Sequence, residues 1–434
     1  MSLAASLLTY TAALAASAGS SGGGVHWGVV IDCGSSGSRA RLYTWTDASS
    51  VVDEFTPTAP ADEAALQIEP GLSSFAADPA GAGPYLSPLL AQAARWVPAA
   101  AHNSTRVQAL ATAGMRLLPA HAQARVWQAV ERAIAQSAFG AAHAAGSAMT
   151  LSGEFEGLFN WMTIEYILAR DPRAAESPYF GGLDLGGAST QISFRPADGV
   201  ILQDAYRVRR GEEAYRLYSH SYMRFGQDQA KLRLAQLIYD TRASGGGEGA
   251  PLTNPCANTG LNENYTVDCG APSRPCTRLF VGSGEHSACK ELTATLLRLD
   301  SECLLAPCAA HGVYQPSVSG VHFFAISAFF YTANGLGLLG WSEEKGISAA
   351  EIDQAGAAFC AKPWAEVASR YATSYCFASA YIPLLLRAYG VPYEDQSFIT
   401  FARKIRGFNS GWTYIYRTIR KSGSVDFLYL MSIF

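Results

Sequence analysis

GVVIDCGSSGSRARLYTW, Gly28 to Trp45, is the stretch on which the fold turns. Val29, Val30 and Ile31 form a β-branched run that ends on Asp32. Gly34, Ser35, Ser36, Gly37 and Ser38 follow, and then the alternating Arg39-Ala40-Arg41-Leu42-Tyr43. This pattern predicts strand, small-residue turn, strand: a β-hairpin with hydroxyls and amides at its tip. Glycine lets the backbone approach a ligand closely, and successive N–H groups in such a turn form an anion-binding concavity. An aspartate at the mouth of that turn is placed to hold a divalent cation through water. An ordinary Ser/Gly-rich hairpin would have the same pattern, so this segment alone leaves both readings open.

A second copy of the design favours the phosphate-loop reading. FGGLDLGGASTQISF, Phe180 to Phe194, again runs apolar residues into an aspartate, Asp184. It then gives Gly186, Gly187, Ala188, Ser189 and Thr190, and resumes alternation at Gln191-Ile192-Ser193-Phe194. The two hairpins lie about 150 residues apart, roughly one domain length. The inference is two similar halves, each offering one phosphate loop, facing each other across a cleft.

Around these loops the chain of 434 residues is long enough for two domains and a sizeable core. Its formal net charge is −4 and only 16% of residues are charged, with no basic stripe of the kind nucleic acid requires. A polyanionic ligand must therefore be met locally, by loops and a cation. Met1 to Ala18 is apolar and small, and Leu14 to Ala18 resembles a signal-peptidase site, although no basic residues precede it. An uncleaved anchor is the alternative, and membrane association is expected only through segments at or beyond the termini.

The cysteines support the same secretory route. Cys33 lies in the first loop and eight more run from Cys256 to Cys376, without the C-x-x-C spacing of a zinc site. Eight clustered cysteines suit four disulfides in an oxidising lumen. The positions of Cys303/Cys308 and Cys360/Cys376 suggest these as pairs. Cys256, Cys269, Cys276 and Cys289 are left for two further bridges, and Cys33 stays free. Asn103-Ser104-Thr105 and Asn264-Tyr265-Thr266 are glycosylation sequons.

Strands and helices alternate through the first half, an α/β pattern. Thr105–Leu110 reads as a strand delivering Ala111-Thr112-Ala113-Gly114-Met115-Arg116, and a helix is expected from Leu158 to Arg170. Glu212 to Thr241 reads as helix, and Asn254 to Pro275 as loop held by cysteines. Glu156, at a strand-to-helix junction beside Gly157, is the leading candidate for a general base on an attacking water. Glu154 competes with it. Thr112, Ser189 and Gln191 are candidates to position the same water, and Phe329, Phe330, Tyr331, Trp364, Tyr371 and Trp412 could supply a base-stacking slot. Gly335 to Gly340 matches G-x-G-x-x-G, a weak signal by itself.

From Trp27 to about Ile419 the chain resembles the nucleoside triphosphate diphosphohydrolases, or apyrases. The resemblance rests on ordered segments: DCGSSGSR at Asp32, ATAGMRLLP at Ala111, SGEFEGLFNW at Ser152, LDLGGASTQ at Leu183, then SAFFY at Ser327 and GWT at Gly411. The DCGSSGSR form and the later YQP and YCF runs look most like the Golgi- or endolysosome-type branch.

This resemblance implies an α/β, actin-like fold of two RNase-H-like lobes with the nucleotide in the cleft between them. It implies a leader over 1–24, a first lobe from 25–155 and 400–434, and a second from 156–399. The activity it implies is stepwise removal of terminal phosphate from nucleoside tri- and diphosphates with Ca²⁺ or Mg²⁺. In this chain Glu156 would be the base and Thr112 would share its water, with Ser189 and Gln191 orienting it. Ser35, Ser36, Gly37, Ser38 and Arg39 would form one phosphate loop, and Gly186, Gly187 and Ala188 the other. Asp32 and Asp184 would hold the metal through waters, and Tyr331, Arg370, Tyr371 and Trp412 would lie at the base. Gln227 stands where many members carry a phosphate-contacting arginine. Rival readings are another phosphoryl-transfer or polyphosphate enzyme on the same scaffold, and a lumenal nucleotide-binding protein without catalysis.

Overall fold

The computed structural model describes residues 24–46, 53–55, 66–170, 179–210, 213–242, 250–270, 275–367 and 370–413. The signal-like segment Met1–Ala18 and the tail beyond Thr413 lie outside the described residues.

The first sheet grows from the opening hairpin. β1 (Val25–Cys33) and β2 (Ser38–Thr46) pair antiparallel, placing Asp32 opposite Arg39. β3 (Asp53–Phe55) and the two-residue β4 (Gln67–Ile68) add to β2. On the other side β5 (Arg106–Ala111) lies parallel to β1, and β6 (Ala148–Thr150) parallel to β5. β1 is thus a central strand covered on both faces, which is why Val29, Val30 and Ile31 form an unbroken apolar run. Parallel neighbours need long crossovers, and helices supply them. α1 (Ala82–Trp96) precedes β5, and α2 (Ala113–Arg116) and α3 (Ala120–Gln136) join β5 to β6. Leu86 and Leu89 of α1 and Val126 and Val130 of α3 share one core with Val29, Ile31 and Leu42.

α4 (Gly153–Leu168) leads to a second sheet of the same design. β7 (Phe180–Leu185) and β8 (Ser189–Phe194) form its hairpin, and β9 (Ala205–Arg210) and β10 (Glu213–Met223) extend it antiparallel beyond β8. α5 (Gln227–Arg242) follows, then a small separate sheet of β11 (Leu252–Asn254), β12 (Asn262–Asp268) and β13 (Pro275–Gly282), then α6 (His286–Leu297). β14 (His322–Ser327) returns to lie parallel to β7 and runs into α7 (Ala328–Gly335). After β15 (Lys345–Gly346), α8 (Ala349–Cys360) and α9 (Tyr375–Ala388), β16 (Ile399–Phe401) lies parallel to β14. Each sheet therefore sets an antiparallel hairpin on one side of its loop-bearing strand and parallel strands on the other. The repeat of loops in the sequence is a repeat of sheets in space.

Several expectations are corrected. Glu212–Thr241 is not one helix: Glu213–Met223 is β10, and only Gln227–Arg242 is helical. Its tyrosines suit a strand, and β8 offers the edge it pairs with. Half of the described part of Asn254–Pro275 is strand rather than loop, because β12 pairs with β13 across that region. α4 starts before Leu158, since the Ser152 hydroxyl caps it by accepting from the Phe155 amide. The G-x-G-x-x-G match begins at the last residue of α7, where no strand leads into a helix, so it is not a dinucleotide fingerprint.

The expected lobe divisions at 155/156 and 399/400 fall inside α4 and β16, each a single hydrogen-bonded unit. Among the described residues no helix is long and apolar enough to cross a membrane. Both sequon asparagines, Asn103 and Asn264, are exposed.

Four bridges pair Cys256–Cys289, Cys269–Cys276, Cys303–Cys308 and Cys360–Cys376, and Cys33 is buried and free. Non-reducing peptide mapping is expected to recover these four pairs. Cys33 should resist alkylation until the protein is denatured, because burial pushes its thiol up to about 12 and hides it from reagent. A mapped bridge to Cys33, or its rapid labelling in native protein, would contradict this arrangement.

Candidate active site

The register of the second hairpin selects which side chains face one another. Asp184 lies opposite Gln191, and Gln191 lies opposite Ser221 of β10. Side chains alternate along a strand, so Ser189, Gln191 and Ser193 line one face of β8, with Ser219 and Ser221 beside them on β10. α4 packs on this polar strip. Its Gly153 is required there: a Cβ would fall 2.1 Å from Ser221 Oγ and 2.5 Å from Arg116 Nη1.

Glu156, in the first turn of α4, is set into the same face. Its Oε2 accepts from Arg116 Nη2 at 2.6 Å and from Gln191 Nε2 at 3.3 Å. Gln191 Nε2 also lies 2.7 Å from Ser189 Oγ and 2.9 Å from Ser221 Oγ, while Arg116 Nη2 reaches Ser189 Oγ at 3.2 Å. Arg116 comes from α2, in the crossover after β5 of the first sheet, whereas Ser189 and Gln191 belong to the second. The cluster therefore joins the two halves. Arg116 also has two buried nitrogens, Nε and Nη1, without a protein partner. Buried donors of this kind need an acceptor.

Three acidic groups converge electrostatically on this region. Burial pushes the Glu156 carboxyl up to about 8; the Arg116 guanidinium opposes that, and the charges of Asp184 and Asp32 add to it. Asp184 is pushed up to about 6, again by burial first, with a Ser327 hydrogen bond pulling down and the Asp32 charge pushing up. Burial also raises Asp32, against Arg39 and Arg41. The short Arg116 contact favours an ionised Glu156, yet burial outweighs it while the neighbouring aspartates remain uncompensated. A cation near Asp32 and Asp184 would relieve all three. Among the described residues no group of three or more His, Cys, Asp or Glu side chains could cage a metal.

The two loops approach closely. A Cβ at Gly187 would lie 2.5 Å from Ser35 Oγ and 2.6 Å from Asp228 Oδ2, so a larger residue would have to displace both side chains. Gly186 and Gly187 carbonyls accept from the Gln227, Asp228 and Gln229 amides, which ties the second loop to the start of α5. Ser35 and Ser36 sit at the tip of the first loop, and the buried Gly37 packs under the Ile68 carbonyl. Thr112 is buried at the start of α2, its amide donating to the Cys33 carbonyl at 3.3 Å.

Other expected residues are placed differently. Ser38 is fully buried and accepts from the Tyr85 hydroxyl at 3.0 Å, so its hydroxyl serves the interior of the first lobe. Arg39 stands across from Asp32 and acts on it through charge. Trp412 offers no open face to a base: it is buried in a cluster with Val30, Tyr43, Leu110 and Phe159. Tyr331 and Tyr371 are exposed at 45% and 60%, as stacking on a ligand would require. The Arg370 side chain lies outside the described residues. Alanine and glycine in the second loop leave contact to backbone amides.

Sequence reasoning left out Arg116 and Ser221. Arg116 was in the quoted ATAGMR segment, one helical turn beyond Thr112. Ser221 was hidden by the helical reading of β10.

A model of the GDA1/CD39 (nucleoside phosphatase) family matches residues 21–420. The chain is 34% identical to ectonucleoside triphosphate diphosphohydrolase 8 of Bos taurus, over 90% of this chain and 81% of that protein. It is 30% identical to probable apyrase 3 of Arabidopsis thaliana, over 88% of this chain and 79% of that one. Among solved structures, nucleoside triphosphate hydrolases from Neospora caninum superpose with a TM-score of 0.60 at 15% identity, covering 94% of both chains. That likeness shows the fold, an actin-like pair of RNase-H-like lobes.

Proposed function

Since the chain belongs to the GDA1/CD39 family of nucleoside phosphatases, we propose that it hydrolyses the terminal phosphate of nucleoside tri- and diphosphates, with Glu156 activating the attacking water. The observation that carries this reading is the Arg116 guanidinium. It grips Glu156 and keeps two buried nitrogens without protein acceptors at the junction of the two halves. A phosphate oxygen or a water supplies the missing acceptor.

The chemistry follows from the arrangement. A water beside Glu156 Oε2 is oriented by Gln191 and Ser189, and Thr112 approaches it from the first lobe. As the water oxygen bonds to the terminal phosphorus, Glu156 takes its proton and the bridging P–O bond breaks toward the nucleotide. The amides of the loops around Ser35–Gly37 and Gly186–Ser189 hold the phosphate oxygens. Asp32 and Asp184 fit a divalent cation as outer partners. Asp184 is buried and Asp32 half-buried, each raised by burial and coupled through charge, and among the described residues no cluster of three or more acidic, His or Cys side chains cages a metal. Phosphate oxygens and waters complete such a shell. A bound Ca²⁺ or Mg²⁺ supplies neutralising charge at the phosphates. Tyr331 and Tyr371 stack on the base.

The four bridges suit an oxidising compartment, and we place the chain in the secretory pathway or outside the cell. No feature of the described residues favours the Golgi- or endolysosome-type branch over the ectonucleotidases it matches.

Glu156→Gln keeps size and hydrogen bonding while removing the base. Turnover of ATP or UDP, assayed as phosphate release with Ca²⁺, is expected to fall by about 10²–10⁴-fold with analogue binding nearly intact. Glu154→Gln should have a mild effect, since Glu154 is only half-buried and makes its bond to Ser219 through its carbonyl. An active Glu156→Gln beside an inactive Glu154→Gln would assign the base wrongly. Phosphate passed to an acceptor other than water would favour phosphotransfer.

Chelator is expected to abolish turnover and leave the melting temperature of the ligand-free protein almost unchanged. A large fall in melting temperature with chelator alone would make the metal structural.

A further inference from the structure

On the proposed function the loop around Gly186–Ser189 meets the phosphates and Tyr371 meets the base, and one side chain spans the two. The phosphate loop is held by the start of α5. The Gly186 carbonyl accepts from the Gln227 amide at 2.8 Å, and the Gly187 carbonyl accepts from Asp228 and Gln229 at 2.9 and 3.0 Å. Gly226, just ahead of the helix, packs so closely on this loop that a Cβ would fall 2.4 Å from the Ala188 and Ser189 nitrogens. Loop and helix start are thereby locked together.

Tyr371 lies in the segment closed by the Cys360–Cys376 bridge, whose ends are 16 residues apart in the chain. The early part of that segment has its own fastenings. The Trp364 amide donates to the Thr259 carbonyl at 2.9 Å, and Asn258 Nδ2 donates to the Phe359 and Lys362 carbonyls at 2.7 and 3.2 Å. The later part, beside the exposed Tyr371, is met by Lys231. Lys231 stands one helical turn into α5, and its Nζ donates to the Thr373 carbonyl at 3.0 Å and to Glu263 Oε1 at 3.2 Å. Glu263, on β12, also accepts from the Tyr265 hydroxyl at 2.9 Å. Fixing a lysine stem costs rotamer freedom, and this side chain is only 12% exposed. The ion pair with Glu263 needs no contact with the Tyr371 segment, yet the same ammonium makes both.

We propose that Lys231 is a positioning residue: by holding the Thr373 carbonyl it sets the Tyr371 ring at a fixed distance from the phosphate loop, for a nucleotide whose base reaches that ring. The inference rests on the reading that Tyr371 stacks on the base. Phosphate loop, α5, Lys231 and the Tyr371 segment then form one continuous strut, ordered before the nucleotide binds. The base is remote from the reacting phosphorus, so losing the strut weakens ground state and transition state alike. Such a loss shows in KM and leaves kcat in place.

Lys231→Met keeps the stem and removes the donor. With ATP and Ca²⁺, its KM is expected to rise about 10-fold, the size of one charge-assisted hydrogen bond, with kcat within about twofold of wild type. Glu263→Gln breaks the ion pair and spares the bond to Thr373, so its KM should stay at the wild-type level. In a Tyr371→Ala background Lys231→Met should raise KM no further, because the ring it positions is gone. The double variant Lys231→Met/Glu263→Gln leaves no stranded carboxylate. It should repeat the KM rise, and it replaces the single variant if that one fails to fold. Unchanged KM on loss of the donor would overturn the proposal. So would a parallel fall in kcat, an equal KM rise in Glu263→Gln, or a full further rise in the Tyr371→Ala background. Tyr371→Ala alone tells the two readings apart. If it raises KM and Lys231→Met does not, only the role of Lys231 falls. If it leaves KM unchanged, the base reading of Tyr371 falls and this inference with it.

Discussion

The contact between Arg116 and Glu156, 2.6 Å long and largely buried, is the interaction on which the site depends. Arg116 is delivered by the crossover of the first sheet, and Glu156 by the helix that opens the path to the second. A buried ion pair of this kind is weak evidence for stability, because desolvating two charges offsets most of their attraction. Its retention makes more sense as positioning. The guanidinium fixes the carboxylate, Gln191 donates to it from the opposite half, and Ser189 there accepts from both donors, so the carboxylate is held from both sides of the junction.

The acidic groups around that contact oppose one another. Asp32 and Asp184 stand on equivalent strands of the two sheets, and both raise the pKa of Glu156 beyond what burial already does. Alone, this gathering of carboxyls is unfavourable. On the proposed function, a cation and the phosphates bound with it would relieve the aspartates and let Glu156 ionise beside the attacking water. The repeat of sheets explains how one chain builds such a place, since two strand ends pointing into one junction bring two aspartates and two loops together.

Much of this was legible in the sequence, for reasons that differ by residue. The loop strands were readable because a central strand flanked on both sides must be apolar throughout, as Val29–Ile31 are. The Cys303–Cys308 and Cys360–Cys376 pairs followed from position in the chain, whereas the pairing among Cys256, Cys269, Cys276 and Cys289 needed the fold, since Cys256 and Cys289 lie 33 residues apart. What failed depended on distant neighbours. Glu213–Met223 became a strand because β8 lacked a partner on that edge, and no local pattern reports an empty edge. Trp412 looked like a free aromatic and is core, because Tyr43 and Phe159, far away in the chain, enclose it. Ser38 belonged to the right motif but turns inward to Tyr85.

The dependence of kcat on pH, which reports groups in the substrate-bound complex, for wild type beside Glu156→Gln tests the central claim most directly. A general base must be ionised to accept the proton, so activity is lost as pH falls through its pKa. Without cation, burial sets Glu156 at about 8, and the cation's charge draws it down toward the ordinary value of 4.5. The wild-type profile should therefore rise with increasing pH along a single acid limb whose midpoint lies between those values. Glu156→Gln should show a low, flat profile over the same range. The same limb in Glu156→Gln at reduced height would mean that another group titrates, and that Glu156 is not the base.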